Sequence, residues 1–277
     1  MNPKRLPRPP HNPGVRNLVR GKKEWTRPLS KDAVERGFLG WHENGYLPHR
    51  DEPGLVQFVT FRLADAFPEE LRSEWDALLK IEDDRKRQIE LEAYLDKGCG
   101  ACHLRRPDIA GMLEASLRFF HGERYDLRAW VVMPNHVHLL FQVLGVPMSE
   151  LIDAWKDYTA KQANKLLERK GTFWQDGYWD TYMRDEAHEL RTNRYIENNP
   201  VKAHLVAAPK EWPWGSARFR DQHERLVLPQ RPRSAPVLGR SKVKWSNGME
   251  ELRPDRGSNP AAAGDGRTPG NPHRRQA

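Results

Sequence analysis

Hydrophobic and polar positions alternate between two periods along the middle of the chain, and each period predicts its own element. "LVQFVTFRL" at 55–63 is β-branched and aromatic, which predicts a strand. Pro68 then opens a charged stretch in which Leu71, Trp75, Leu78 and Leu79 recur at helical spacing, and "PDIAGMLEASLRFF" predicts a second helix over 107–121. "YDLRAWVVM" (125–133) and "HVHLLFQV" (136–143) predict two strands paired antiparallel across a Pro134-Asn135 turn. After Pro147, Ser149 is placed to cap a helix whose inward stripe is Leu151, Ile152, Trp155, Thr159 and Ala163. "YWDTYMR" predicts a short strand, and Asp185 caps a helix that reaches Asn199, where Pro200 stops it.

The order strand, helices, hairpin, helix, strand, helix predicts an α+β fold of ferredoxin-like or RRM-like type: an antiparallel sheet with helices on one face and the active site on the other. RNA-recognition modules bind single strands on such an open face. Residues 1–50 are rich in Pro, Gly, Arg and His without sustained periodicity and read as an irregular basic arm, leaving 51–218 as the folded domain. Residues 219–277 carry too little apolar content to offset chain entropy and read as a disordered basic tail.

Charge adds a partner class. The 277 residues hold 46 Lys and Arg against 38 Asp and Glu, a net charge of +8, which favours an anionic partner such as nucleic acid. No apolar run approaches the roughly 18 residues a membrane span needs, and "MNPKRLPRPPHNPG" does not lead into a signal-peptide core, so the chain reads as cytoplasmic. The two cysteines form "GCGACHL", where Cys99, Cys102 and His103 match the pattern for covalent haem attachment. Haem attachment would need export, and two thiols with His103 fall short of a four-ligand zinc site, so the segment reads as a Gly-rich turn.

The candidate chemistry lies in "MPNHVHLLF". On a strand, His136 and His138 share one face while Val137, Leu139 and Phe141 share the other. Two neutral imidazoles so placed can reach one ion, and a further ligand must come from elsewhere. In "NRYIENNPVKA", Tyr195 and Asn199 lie on one face of a helix, so an Asn199 carbonyl oxygen on the ion would bring Tyr195 beside it. Imidazoles and an amide oxygen point away from structural zinc and toward Mg²⁺ or Mn²⁺ with open positions for phosphate oxygens. A scissile phosphate held there would be open to in-line attack by Tyr195, giving a phosphotyrosine link to the 5′ side of the break. Tyr158 is a rival nucleophile that lacks such a polar neighbour one turn on, and Phe173, Trp174, Tyr178 and Trp179 either stack bases or fill core.

Together "FVTFRLAD", "AWVVMPNHVHLLF", "AWKDYTAKQANKLL", "GTFWQDGYWDTYMRDE", "RYIENNPVKAHLV" and "EWPWGSA" resemble the REP-associated tyrosine transposases, relatives of the IS200-like single-tyrosine (HUH-type) transposases, over about residues 45–218. The resemblance implies a metal site at His136 and His138, completed by Asn199, and a catalytic tyrosine at Tyr195. It implies DNA transposition chemistry on single-stranded DNA folded as palindromic hairpins, cut and rejoined, by a monomer or a homodimer. Lys156, Lys161 and Lys202 fall within the matching motifs as candidate phosphate contacts. Two alternatives stay open: a nucleic-acid-binding regulator that has lost cleavage, and a metallohydrolase that uses activated water.

Overall fold

The structure, a computed structural model, describes residues 28–44, 47–67, 77, 81 and 84–229. Its elements run α1 (Lys31–Glu35), β1 (Gly40–Asn44), β2 (Leu47–Asp51), β3 (Val56–Arg62), α2 (Asp84–Asp96), α3 (Pro107–Arg118), β4 (Tyr125–Val132), β5 (His136–Val143), α4 (Met148–Leu166), β6 (Trp179–Tyr182) and α5 (Glu186–Lys202). Strands β3 to β6 form one antiparallel sheet in the order β4-β5-β3-β6, and β1 pairs with β2 as a separate hairpin. The succession β3-α3-β4-β5-α4-β6 in that spatial order is the ferredoxin-like arrangement the sequence predicts.

Alternation along the strands decides which side chains go where. Val59 and Phe61 of β3 join Val137, Leu139 and Phe141 of β5 on the face covered by α3 and α4, through Ile109, Leu113, Leu117, Leu151, Ile152 and Trp155. Each such aliphatic or aromatic side chain, taken from water to full burial, contributes about 1.5–3 kcal/mol. Phe173 and Trp174 join this core, and the Trp174 indole N–H donates to Thr159 Oγ1 at 2.9 Å, so these two rings fill space rather than stack bases. A β-bulge between Leu127 and Ala129 shifts the phase of β4, turning Trp130 and Val132 to the same core.

The second face is not open. Ala129, Val131, Met133, Phe58 and Leu140 pack there against Ile196, with Tyr195, Ala203, Leu205 and Trp212 at the margin, so α5 covers part of it. The sequence gives no reason to seat α5 there, because its apolar positions are few and its cover depends on "LVAAPKEWPW" returning along β4.

Four boundaries differ from the sequence reading. The described part of the N-terminal arm holds α1 and the β1-β2 hairpin, with Ala33, Phe38 and Trp41 buried. The folded part also runs past residue 218: Phe219 packs on Trp130 at 5.6 Å, the Val227 amide donates to the Phe219 carbonyl, and Leu226 and Leu228 meet the core. Helix α4 is preceded by Pro147 with no side-chain cap, and the orphan Met148 N–H is instead satisfied by Asp51 Oδ1 at 2.9 Å. Helix α5 continues through Pro200 to Lys202, its end secured by Ala203 N–H to Asn199 O and Leu205 N–H to Pro200 O. The predicted positions Leu71, Trp75, Leu78 and Leu79 lie outside the described residues, as do 1–27 and 230–277. No helix among the described residues is long and apolar enough to cross a membrane.

Candidate active site

Strand register brings the first groups together. Thr60 of β3 stands opposite His138 of β5, and Arg62 stands opposite His136. Both histidines are fully buried, and their Nε2 atoms face each other at 3.1 Å. His136 Nδ1 meets Asn135 Oδ1 at 2.8 Å, and His138 Nδ1 meets Thr60 Oγ1 at 2.8 Å. Burial, together with the nearby Arg62 and Lys202 charges, pushes His136 down to about 3. Burial also lowers His138, with His136 and Lys202 adding to the effect, so both rings are neutral at pH 7, as ligands must be.

Helix α5 supplies the next pair. The Tyr195 ring lies edge-on to His138 at 5.7 Å and to Phe58 at 6.0 Å. Asn199 Nδ2 donates to the Tyr195 hydroxyl at 3.3 Å, while Asn199 Oδ1 is buried with no hydrogen-bond partner. The structure thus unites His136, His138, Tyr195 and Asn199, the four residues selected from the sequence. It does not unite the three lysines. Lys202 lies at the site, its ammonium 5.8 Å from the Tyr195 ring centre. Lys156 and Lys161 are on α4, in the layer across the sheet. The Lys156 amine is committed to the carbonyls of Gln175 and Gly177 at 2.7 and 2.8 Å, and burial lowers it to about 8. Lys161 is paired with Asp157. Tyr158 sits in the same α4 layer, away from the histidines.

Helix α2 adds two carboxylates that sequence reading missed. Tyr195 donates its hydroxyl proton to a hydrogen bond with Glu92, and Asp96 stands with Oδ1 4.0 Å from His136 Nε2 and Oδ2 3.1 Å from Lys202 Nζ. Asp96 Oδ1 is buried and has no hydrogen-bond partner. Burial, followed by the charges of Glu92 and Asp96, holds the Tyr195 phenol well above the ordinary tyrosine value, and burial raises Asp96 despite Lys202. The available signal was the spacing of Glu92 and Asp96, four apart and hence on one helix face.

Two ligands bound in cis at about 2.1 Å from one cation stand about 3 Å apart, so the facing Nε2 atoms have ligand spacing. The orphaned Asn199 Oδ1 and Asp96 Oδ1 are oxygen donors without partners. The donor set therefore fits a divalent cation that accepts mixed nitrogen and oxygen ligands. Among the described residues no three His, Cys, Asp or Glu side chains converge on one point. Cys99 and Cys102 are free thiols on the turn before the His103–Arg105 segment.

Comparison with known proteins places this region. Residues 110–199 match the IS200-like transposase family. A Putative REP-associated tyrosine transposase of Haemophilus influenzae is 26% identical over 103 residues, covering 33% of this chain and 58% of that relative. The REP-associated tyrosine transposase of Escherichia coli K12 is 27% identical over 92 residues, covering 33% of this chain and 54% of that one. The aligned part thus spans little more than half the length of these curated relatives. Among solved structures, a REP-associated tyrosine transposase bound to a REP hairpin matches with a TM-score of 0.42 and 16% identity, over 70% of this chain and 95% of that one.

Proposed function

From a chain that carries an IS200-like transposase domain over residues 110–199 and is related to the REP-associated tyrosine transposases, we propose a single-stranded DNA endonuclease and strand transferase that cuts and rejoins at palindromic hairpins through a tyrosine-linked intermediate. The observation that carries it is the Tyr195 ring 5.7 Å from that of His138, whose Nε2 faces His136 Nε2, with the partnerless amide oxygen of Asn199 on the residue that bonds the phenol. The excess of basic residues agrees with a nucleic-acid partner.

In this reading His136, His138 and Asn199 hold Mg²⁺ or Mn²⁺. A bound cation supplies Lewis acidity to a phosphate oxygen and offsets the negative charge that now keeps the Tyr195 proton in place. Tyr195 Oη forms a bond to phosphorus as the P–O3′ bond breaks, leaving the 5′ phosphate on the tyrosine. The phenol proton passes to Glu92, already its hydrogen-bond acceptor, and the departing 3′ oxygen is protonated from solvent. Rejoining reverses these transfers with a new 3′ hydroxyl. Lys202 is placed to exchange Asp96 for a DNA phosphate.

Glu92 and Asp96 of α2 lie against the half-buried Tyr195 and beside His136, where their charge opposes a phosphodiester, and this is what favours the alternative of a hairpin-binding regulator without cleavage. One experiment separates the two. The full-length protein is incubated with a 5′-extended labelled hairpin and Mn²⁺, and covalent protein-DNA adduct is resolved on a denaturing gel. An adduct in the wild type that vanishes in Tyr195→Phe supports the transferase. Hairpin binding with no adduct supports the regulator, and cleavage that survives Tyr195→Phe indicates activated water.

A further inference from the structure

The Gly-rich turn that holds Cys99 connects to the site through one side chain. Asn135 is fully buried between the turn and His136. Its Nδ2 donates to the Cys99 carbonyl at 3.0 Å, and its Oδ1 faces His136 Nδ1 at 2.8 Å. Rotating the amide by half a turn would set two oxygens against each other at Cys99, so the amide has one satisfied orientation. An oxygen at His136 Nδ1 requires that nitrogen to carry the proton, and the proton then leaves Nε2 as a bare lone pair.

We propose that Asn135, anchored on the carbonyl of Cys99, is a positioning residue that fixes the tautomer of His136 and aims its Nε2 lone pair at the point His138 also faces. This rests on the reading of that point as a cation site.

The turn is shaped for the task. Gly98 and Gly100 have φ of +69° and +85°, and Cys102 lies in the left-handed region at φ 50°. A Cβ on Gly100 would stand 2.4 Å from the Asp65 carbonyl oxygen, so the turn lies hard against the chain leaving β3. Asp65 Oδ2 accepts the Ala101 N–H at 2.8 Å, and Leu104 N–H donates to the Pro134 carbonyl at 3.1 Å. These bonds fix the Cys99 carbonyl relative to the β4-β5 turn that bears Asn135. The second ring contrasts with the first: Thr60 Oγ1 can give or take a proton, so His138 is free to adopt the tautomer that His136 leaves it. Without a cation its Nε2–H can donate to His136 Nε2, and with one the proton sits on Nδ1 and points at Thr60.

Supporting partners of metal-bound histidines change affinity by about 10–100-fold when removed. The test uses full-length, ¹⁵N-histidine-labelled protein, with the His136 tautomer read from long-range ¹H–¹⁵N spectra and Mn²⁺ affinity from the electron paramagnetic resonance signal of free ion. The wild type is expected to show His136 protonated on Nδ1. Asn135→Ala is expected to lose that preference and to bind Mn²⁺ about 10–100-fold more weakly. Asn135→Asp keeps an acceptor at Nδ1 and is expected to retain the tautomer, while it loses the donor to the Cys99 carbonyl and with it part of the aim of Nε2, so that Mn²⁺ binds more weakly than in wild type and more tightly than in Asn135→Ala. A folded Asn135→Ala protein with wild-type tautomer and affinity overturns the proposal. Should that variant not fold, an Nε2–H tautomer in Asn135→Asp overturns it instead. A tautomer change in a protein that binds no Mn²⁺ in any form sustains the positioning role and refutes the cation reading.

Discussion

Asp51 ends β2 and is fully buried, one carboxylate oxygen accepting the first amide of α4 and the other without a partner. Burial is the largest influence on it; the carboxylates of Asp180 and Glu150 add to the rise, and backbone N–H groups of Met148 and Leu39 oppose it, leaving it at about 6 against an ordinary 3.8. His49 faces the same region, paired to Asp180, and the Tyr178 ring lies 4.9 Å from His49, tilted by 51°. A carboxyl that is a weaker acid folded than unfolded favours folding less as it ionises. The loss begins near the unfolded value of about 4 and is complete above about 6, where it reaches about 3 kcal/mol at 1.36 kcal/mol per pKa unit. Of this, about 1.4 kcal/mol falls between pH 5 and 7.5. Asp51→Asn keeps an oxygen for the Met148 N–H and removes the charge. Urea denaturation followed by tryptophan fluorescence, run on both proteins at both pH values, gives a double difference in which other titrating groups cancel. Wild type is expected to lose about 1.4 kcal/mol more than the variant on going from pH 5 to 7.5. Parallel pH dependences, with a double difference near zero, would refute the assignment of a raised acid at this position.

Three further predictions concern other parts of the chain. Glu114 is buried on α3, where it accepts the Trp130 indole N–H at 3.0 Å and pairs with Arg218; Glu114→Ala strands the indole donor and is expected to cost about 2–4 kcal/mol in urea denaturation. Lys202→Ala is expected to weaken hairpin binding and to make the slope of log affinity against log salt shallower by about one, while Lys156→Met leaves that slope unchanged because its amine is already held by two carbonyls. Gly100→Ala is expected to lower stability by at least about 1–3 kcal/mol, since a left-handed backbone and a close carbonyl both oppose a methyl group; a thermal midpoint equal to wild type would contradict the packing of that turn.

The sheet was legible because its strands obey a period of two. Val59 and Phe61, or Val137, Leu139 and Phe141, announce one buried face, and the same alternation sets His136 and His138 together on the other. Tyr195 and Asn199 were legible through helical spacing together with family likeness. What escaped is non-local. Ser149 reads locally as the cap of α4, but the helix already begins one residue earlier at Met148, whose amide is satisfied by Asp51 from β2. Pro200 reads as a stop, yet helix α5 needs only to lose one amide to pass it, and the bonds from Ala203 and Leu205 hold the final turn.

Helix α2 is the clearest case, and it changes how the site is understood. Its buried positions include Leu91, Glu92, Tyr94 and Leu95, a mixed set with no apolar stripe, so periodicity gives no hint of the face it presents. Its partners, Tyr195, His136 and Lys202, are far along the chain. Two carboxylates placed on a phenol and beside an imidazole occupy the ground that a phosphodiester would need. Negative charge there opposes the approach of DNA and strengthens the hold on the Tyr195 proton. In the proposed reading a divalent cation drawn by the same charge would offset both effects at once. Replacing Glu92 with Gln therefore distinguishes two contributions of one residue: hairpin affinity should rise as repulsion falls, while adduct formation should drop because the phenol proton loses its acceptor. A variant that moves both quantities in the same direction would show that α2 acts only as a cover or only as a chemical partner.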